Sequence, residues 1–284
     1  MPLTPNEILD LEKKAHQLRA LCVDTVAWAG SGHIGGALSA MDIFVLLYHK
    51  YLNIDPKRPD WPDRDRFILS KGHAGVGFAP VLADRGYFDP ELLKTFNHTG
   101  SDFGMHLNSL KVPGVDASTG SLGHGISIAV GTALAARVLK KSYTTYCVLG
   151  DGECDEGQVW EAAMSASHYN LTNLILFVDR NHFMIDGETE TVMKLEPFAE
   201  KWKAFGFIVK EVNGHNLRDL SAAIEFAQQE KSAPVVIIAD TIKGCGVDFI
   251  QNKATSHYMG LDDEKIAEAK ASLQRYYEQR VKGA

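Results

Sequence analysis

Two short polar stretches, each directly after an apolar run, carry the residue types that hold a phosphate-bound metal. Gly150, Asp151, Gly152 and Glu153 follow Thr145 to Leu149, and Asp179, Arg180 and Asn181 follow Leu174 to Val178. Asp151 and Asn181 stand about thirty positions apart. A carboxylate and an amide oxygen, joined by a nearby backbone carbonyl, suit a small hard cation such as Mg²⁺ that completes its shell with phosphate oxygens. Glycines beside Asp151 let the backbone approach a diphosphate closely and turn N–H groups toward it. The Gly-Asp-Gly triplet alone reads equally as a tight turn before an acidic helix start.

His33, His73, His106 and His257 form the second chemical set, in SGHIGG, SKGHAG, FGMHLN and TSHYMG. Each stands beside glycine or at a loop boundary, where a single histidine is more often structural than catalytic. Four in this setting point to chemistry, because imidazole trades protons near neutrality and can bond sugar hydroxyls as donor or acceptor. No HExxH or comparable spacing is present, which leaves a histidine-bound zinc without support.

Elements that would position these residues alternate along the chain. Residues 7 to 28 carry apolar positions at helical spacing, Gly30 to Gly36 form a glycine-dense loop, and a second helix is predicted over about 39 to 51. Asp63 to Ser70 reads as a short strand that delivers Lys71, Gly72 and His73. Further strands are predicted at Thr144 to Leu149, Leu174 to Asp179 and Val235 to Asp240. Continuous apolar strands separated by amphipathic helices predict an α/β fold, a doubly wound and mainly parallel sheet flanked by helices, as one domain over residues 1–284. Ligands of such sheets bind beyond the carboxyl ends of the strands. A charged helix and tail is expected over residues 262–284, fraying at Lys282, Gly283 and Ala284. Gly30, Gly32 and Gly35 also match GxGxxG, but that fingerprint needs a preceding strand, and a helix precedes it here.

Composition narrows the function classes. Twenty-nine Lys and Arg against thirty-six Asp and Glu leave a formal net charge of −7, with no basic run to track nucleic acid. No apolar stretch approaches the roughly 20 residues that span a bilayer. The N-terminus has no basic stub followed by an apolar run, and Cys22, Cys147, Cys154 and Cys245 form no CxxC pair. A soluble cytoplasmic protein with reduced thiols is expected.

Gly-Asp-Gly followed by Asn at this separation is the signature of thiamine-diphosphate enzymes. AGSGHIGG, DRFILSKGHA and PGVDASTGSLGHG resemble the corresponding loops of transketolases, and the likeness runs over essentially all 284 residues. The resemblance implies that Asp151, Asn181 and the Phe183 carbonyl hold Mg²⁺, or Ca²⁺ or Mn²⁺ in its place. It implies that Gly150, Gly152 and Glu153 lie at the diphosphate, and that Gly120, Ser121 and Leu122 cradle the cofactor near its ring linkage. His33, His73, His106 and His257 would line the sugar channel, with His73, His257 and Lys243 also near the diphosphate; Lys243 reads otherwise as a solvated strand-end lysine. Glu156 would couple the two active sites of a dimer.

The departures from that family are local. Leu107 stands where a proline is usual after the channel histidine, Tyr258 where a glycine is usual, and His124 where a glutamine is usual. They bear on the sugar and leave the metal and diphosphate residues intact. The family's pyrimidine-binding domain, with the glutamate that activates the cofactor ring and the arginines and serine that grip sugar phosphate, has no counterpart in the chain. The resemblance therefore implies the N-terminal subunit of a split transketolase, which moves a two-carbon ketol unit from a ketose to an aldose when joined to a C-terminal partner in an α2β2 assembly. Two alternatives are a subunit of a decarboxylating or deoxyxylulose-phosphate synthase-type enzyme and a non-catalytic cofactor-binding regulator.

Overall fold

A computed structural model describes residues 2–282. In chain order the elements are helices α1 (Pro5–Ala29), α2 (Ile34–Ser39) and α3 (Met41–Leu46), strand β1 (Arg66–Leu69), helices α4 (Gly75–Arg85) and α5 (His124–Val138), strand β2 (Thr145–Gly150), helix α6 (Gly157–His168), strand β3 (Leu174–Arg180), helices α7 (Thr189–Val192) and α8 (Phe198–Ala204), strand β4 (Ile208–Asn213), helix α9 (Leu217–Gln229), strand β5 (Val235–Asp240) and helix α10 (Asp263–Lys282). The strands pair in the order β1-β2-β3-β5-β4, and every pair is parallel.

Alternation along the strands divides the core between two faces. Tyr146, Val148, Ile175, Phe177, Val235 and Ile237 pack with apolar residues of α1 to α4, α9 and α10. Cys147, Leu149, Leu174, Leu176, Val236 and Ile238 point the other way, onto α5, α6 and α8. Both faces are covered, which is why the central strands read as unbroken apolar runs.

Local signals fix the first helix. Thr4 and Glu7 form a reciprocal capping box around Pro5, and Gly30, at φ 77°, ends the helix in the left-handed conformation. Ile8, Leu11, Ala15, Leu18, Cys22 and Val26 make its buried stripe. Helix α10 lies along α1, where Arg280 Nη2 donates to Glu12 Oε1 at 2.6 Å. The charged C-terminal segment is thus a docked helix that runs through Lys282, where fraying was expected, and the fraying expected at Gly283 and Ala284 falls outside the described residues.

The structure moves two predicted boundaries appreciably and adds one strand. Strand β1 is shorter than Asp63 to Ser70, because the Asp65 carboxylate binds the backbone N–H groups of Asn53 and Thr144 instead of leading into a ladder. The loop from Gly30 to Gly36 ends early: helix begins at Ile34, and α3 continues as one π-turn over Leu47–Tyr51. Gly35 serves close packing, since a Cβ there would stand 2.7 Å from the Ser256 carbonyl. Strand β4 was not predicted. As an edge strand paired only with β5, it mixes Lys210 and Glu211 with Ile208, Val209 and Val212 and never forms a continuous apolar run. No helix among the described residues is long and apolar enough to cross a membrane.

Candidate active site

Ser70 and Lys71, Asp151, Asn181, and Thr241 to Lys243 follow β1, β2, β3 and β5, so they meet at the carboxyl end of the sheet. A cavity of about 370 Å³ opens there, with Asp151, Asn181, Phe183, Lys243 and the histidines 33, 73, 106 and 257 in its wall. A larger hollow of about 570 Å³ is lined by Arg180, His182, Glu196 and Asp240 among others, and none of the predicted site residues reaches it.

The cation ligands expected from sequence are gathered in the smaller cavity. Asp151 is buried; Oδ1 accepts the Gly152 N–H at 2.9 Å and Oδ2 the His182 N–H at 2.7 Å, with Arg180 3.3 Å away. Burial and the neighbouring Asp179 carboxylate push its carboxyl up to about 6, against the pull of Arg180. A bound cation would relieve that penalty. Asn181 Nδ2 donates to Asp179 Oδ2 at 3.0 Å and to Ser39 Oγ at 3.4 Å, which commits the nitrogen to the protein and leaves the amide oxygen for other partners. That oxygen accepts the Phe183 N–H at 3.2 Å. Between them His182 adopts φ 66°, a left-handed turn that brings Phe183 back onto the wall. Lys243 Nζ donates to the Phe183 and Met184 carbonyls, both at 3.3 Å, so a cationic group lies against the carbonyl in question. Carboxylate, amide and peptide oxygens are the donor set that Mg²⁺ takes, and the residues present fit it.

Lys243 is 1% exposed, which excludes the solvated strand-end reading, and burial lowers its ammonium to about 8. Its Nζ also lies 3.2 Å from His257 Nδ1. The four histidines form one cluster: the His33 ring centroid is 5.1 Å from His73, 5.2 Å from His257 and 6.3 Å from His106, and His73 is 5.1 Å from His257. Burial is the leading cause that holds all four below the ordinary histidine range. His106 and Lys243 add to it at His33, which falls to about 4, and Lys243 and His33 add to it at His257, which falls to about 3. The imidazoles are therefore neutral at neutral pH, each with one donor and one acceptor nitrogen. His33 Nδ1 is buried without a hydrogen-bond partner, a polar atom left for a ligand.

The remaining predicted residues divide. Gly120, Leu122, Gly150 and Gly152 line the cavity. A Cβ on Gly120 would stand 3.0 Å from His106, and one on Gly152 would stand 3.0 Å from Met184, so both positions keep the backbone bare where the walls are close. Ser121 is exposed and outside the lining. Glu153 reaches the wall, but its carboxylate is taken up by Ser70 Oγ and by the N–H groups of Gly123 at 2.9 Å and Gly150 at 3.0 Å, so it braces the glycine turn. Glu156 is exposed beyond the cavity, and a Cβ on Gly123 would stand 2.9 Å from its own. His124 opens α5 at the surface.

Sequence reasoning missed the hub beneath the site. Asp179, fully buried, accepts from Lys71 Nζ, Thr241 Oγ1, Asn181 Nδ2 and, at 2.6 Å, Ser39 Oγ. Lys71, 1% exposed, also donates to the Gly36 carbonyl at 2.8 Å. The available signal was an acidic residue closing an otherwise apolar run, two places before Asn181.

With this geometry in hand, comparison with known proteins is decisive. A family model described as "Transketolase, thiamine diphosphate binding domain" matches residues 11–279. The chain belongs to the transketolase family. It is 43% identical over 267 residues to the 6-deoxy-6-sulfo-D-fructose transketolase subunit SqwG of Clostridium sp. (strain MSTE9), covering 94% of this chain and 97% of that one. An apulose-4-phosphate transketolase subunit of Phocaeicola vulgatus is 37% identical, with 93% of each chain covered. Among solved structures, transketolase from Leishmania mexicana superposes with a TM-score of 0.87 at 30% identity, over 96% of this chain and 45% of that one. The chain thus matches transketolase subunits over more than nine-tenths of both chains and spans less than half of the Leishmania transketolase chain. It is a transketolase subunit of the N-terminal, thiamine-diphosphate-binding kind.

Proposed function

We propose that this subunit, joined to one carrying a pyrimidine-binding domain, transfers a two-carbon ketol unit from a ketose with an anionic end group to an aldose. The observation that carries the reading is the single cavity in which Asp151, Asn181 and Phe183 adjoin four histidines. The anionic end group follows from the relatives: one is named for a sulfo-ketose and another for a ketose phosphate.

Thiamine diphosphate, when bound, supplies a nucleophilic carbon and an electron sink for carbon–carbon cleavage. This chain's own groups do the rest. Asp151 and Asn181, with the Phe183 carbonyl, would hold Mg²⁺, and Ca²⁺ or Mn²⁺ would suit the same oxygens. Gly120, Gly150 and Gly152 would admit the cofactor to the backbone, while Lys243 and Lys71 place positive charge along the same wall. His33, His106 and His257 would orient sugar hydroxyls and shuttle their protons, and His73, deeper, would bridge sugar and diphosphate. Glu156, exposed in the isolated chain, would contact a second copy, in an α2β2 assembly whose other component grips the anionic end. A cytoplasmic location belongs to the same proposal, supported by four cysteines that are all unpaired.

The test is reconstitution: the chain mixed with its co-purifying C-terminal-type partner, thiamine diphosphate and Mg²⁺. Ketol transfer by the mixture and by neither component on its own is expected. Carbon dioxide release from pyruvate without ketol transfer would favour the decarboxylating alternative, and no turnover of either kind would favour the regulator.

A further inference from the structure

At the outer side of the histidine cluster stands a side chain that no part of the cofactor site requires. The Tyr258 ring centroid is 4.9 Å from that of His33, and its hydroxyl is 2.6 Å from Ser31 Oγ. Tyr258 is 44% exposed, yet its backbone is clamped. Met259 and Gly32 exchange two hydrogen bonds, at 3.0 and 3.1 Å, and a Cβ on Gly260 would stand 2.7 Å from the Gly30 carbonyl. Ser256 is pressed against Gly35 in the same way. An exposed ring fixed at both its root and its tip is a built obstacle, not a mobile surface group.

Its place determines what it obstructs. The cavity runs from Asp151 and Asn181 to the histidines, and its wall includes neither Tyr258 nor Ser31. The cationic residues of that wall, Lys71 and Lys243, are both buried. A ligand that extends outward past His33 therefore meets an aromatic ring and two hydroxyls.

We propose that Tyr258, propped by Ser31, limits the length of sugar the site accepts and favours short ketoses over long ones. The inference rests on the transketolase reading and adds to it the residue that selects chain length. Selection by a fixed wall is steric: each carbon that must be accommodated against it costs binding only for the longer substrate.

The test measures kcat/KM for a seven-carbon and a five-carbon ketose phosphate, using the assembled two-component enzyme with Y258W, Y258F, Y258G and the unchanged chain. Y258G is expected to raise the seven-to-five ratio about tenfold, the scale on which pockets separate substrates by small differences in size. Y258F, which keeps the ring, should stay within about twofold, and Y258W should lower the ratio. A ratio that does not rise as the side chain shrinks, with transfer intact, overturns this inference alone. No ketol transfer by the unchanged pair toward any sugar overturns the transketolase reading and this inference with it.

Discussion

Beneath helix α10 the buried charges are matched by the protein itself. Arg19 grips Asp42 through two hydrogen bonds, at 3.1 and 2.6 Å, and His215 Nδ1 donates to the same carboxylate at 2.7 Å while its Nε2 accepts the Ile242 N–H at 2.9 Å. Burial opposes ionisation of Asp42, but Arg19 and Arg280 overcome it and hold the carboxyl far below the usual range. At the carboxyl end of the sheet the opposite holds. Asp151 is pushed up to about 6, Lys243 down to about 8 and His33 down to about 4, each chiefly by burial that the protein leaves uncompensated. The first region spends its charges on joining α1, α3, α9 and α10. The second leaves its titratable groups largely unmatched within the chain, as a site that takes a ligand does.

The sharpest way to break this contrast is at Asp151. D151A should weaken Mg²⁺-dependent thiamine diphosphate binding by the assembled enzyme at least about 100-fold, seen by calorimetric titration. Normal affinity would remove Asp151 from the metal site. The structural region answers to D42A, which leaves Arg19 buried without its carboxylate and should cost about 3–5 kcal/mol in urea unfolding. A loss under about 1 kcal/mol would mean that the seam is no better matched than a surface ion pair.

Acid separates the two regions next. His33 and His257 hold fewer protons in the folded state than in the unfolded chain, so their contribution to stability is lost as pH falls below 6.5 and levels off at about 4 and about 3. Asp42, whose folded carboxyl lies lower than its unfolded one, begins to lose its contribution only as pH falls toward the unfolded value of 3.8. Unfolding midpoints measured across pH 7 to 4.5 should therefore slope for the unchanged chain and slope less steeply for H33Q/H257Q, where His73 and His106 still contribute. An identical slope in both would assign the acid sensitivity elsewhere. The smallest expected effect lies at Lys243: cofactor affinity should fall as pH rises through about 8, and K243R, which stays charged, should abolish that fall. A fall that persists in K243R would give the titration to another group.

How much of this was legible in sequence differs between the same two regions. The four histidines, Asp151 and Asn181 were readable because glycine and strand-end context mark them locally, and the covered strands β2, β3 and β5 announced themselves as apolar runs. Strand β4 was hidden by its edge position, where Glu211 is exposed and Lys210 lies over the Phe226 ring, so no continuous apolar run forms. Asp179 and Lys71 were hidden for another reason: their ion pair joins residues 108 positions apart, and only the folded sheet brings them together. The same is true of Arg19, Asp42 and His215, which look like ordinary surface charges until α1, α3 and the turn before α9 meet. Glu153 shows the converse, a residue whose motif suggested ligand contact and whose oxygens are occupied by Ser70, Gly123 and Gly150.

The most direct test of the account is anomalous diffraction from crystals of the assembled enzyme soaked in thiamine diphosphate and Mn²⁺. The account predicts one manganese peak, about 2.2 Å from oxygens of Asp151, Asn181 and the Phe183 carbonyl, with Lys243 displaced from that carbonyl. Manganese bound elsewhere, with Lys243 still against Phe183, would contradict it.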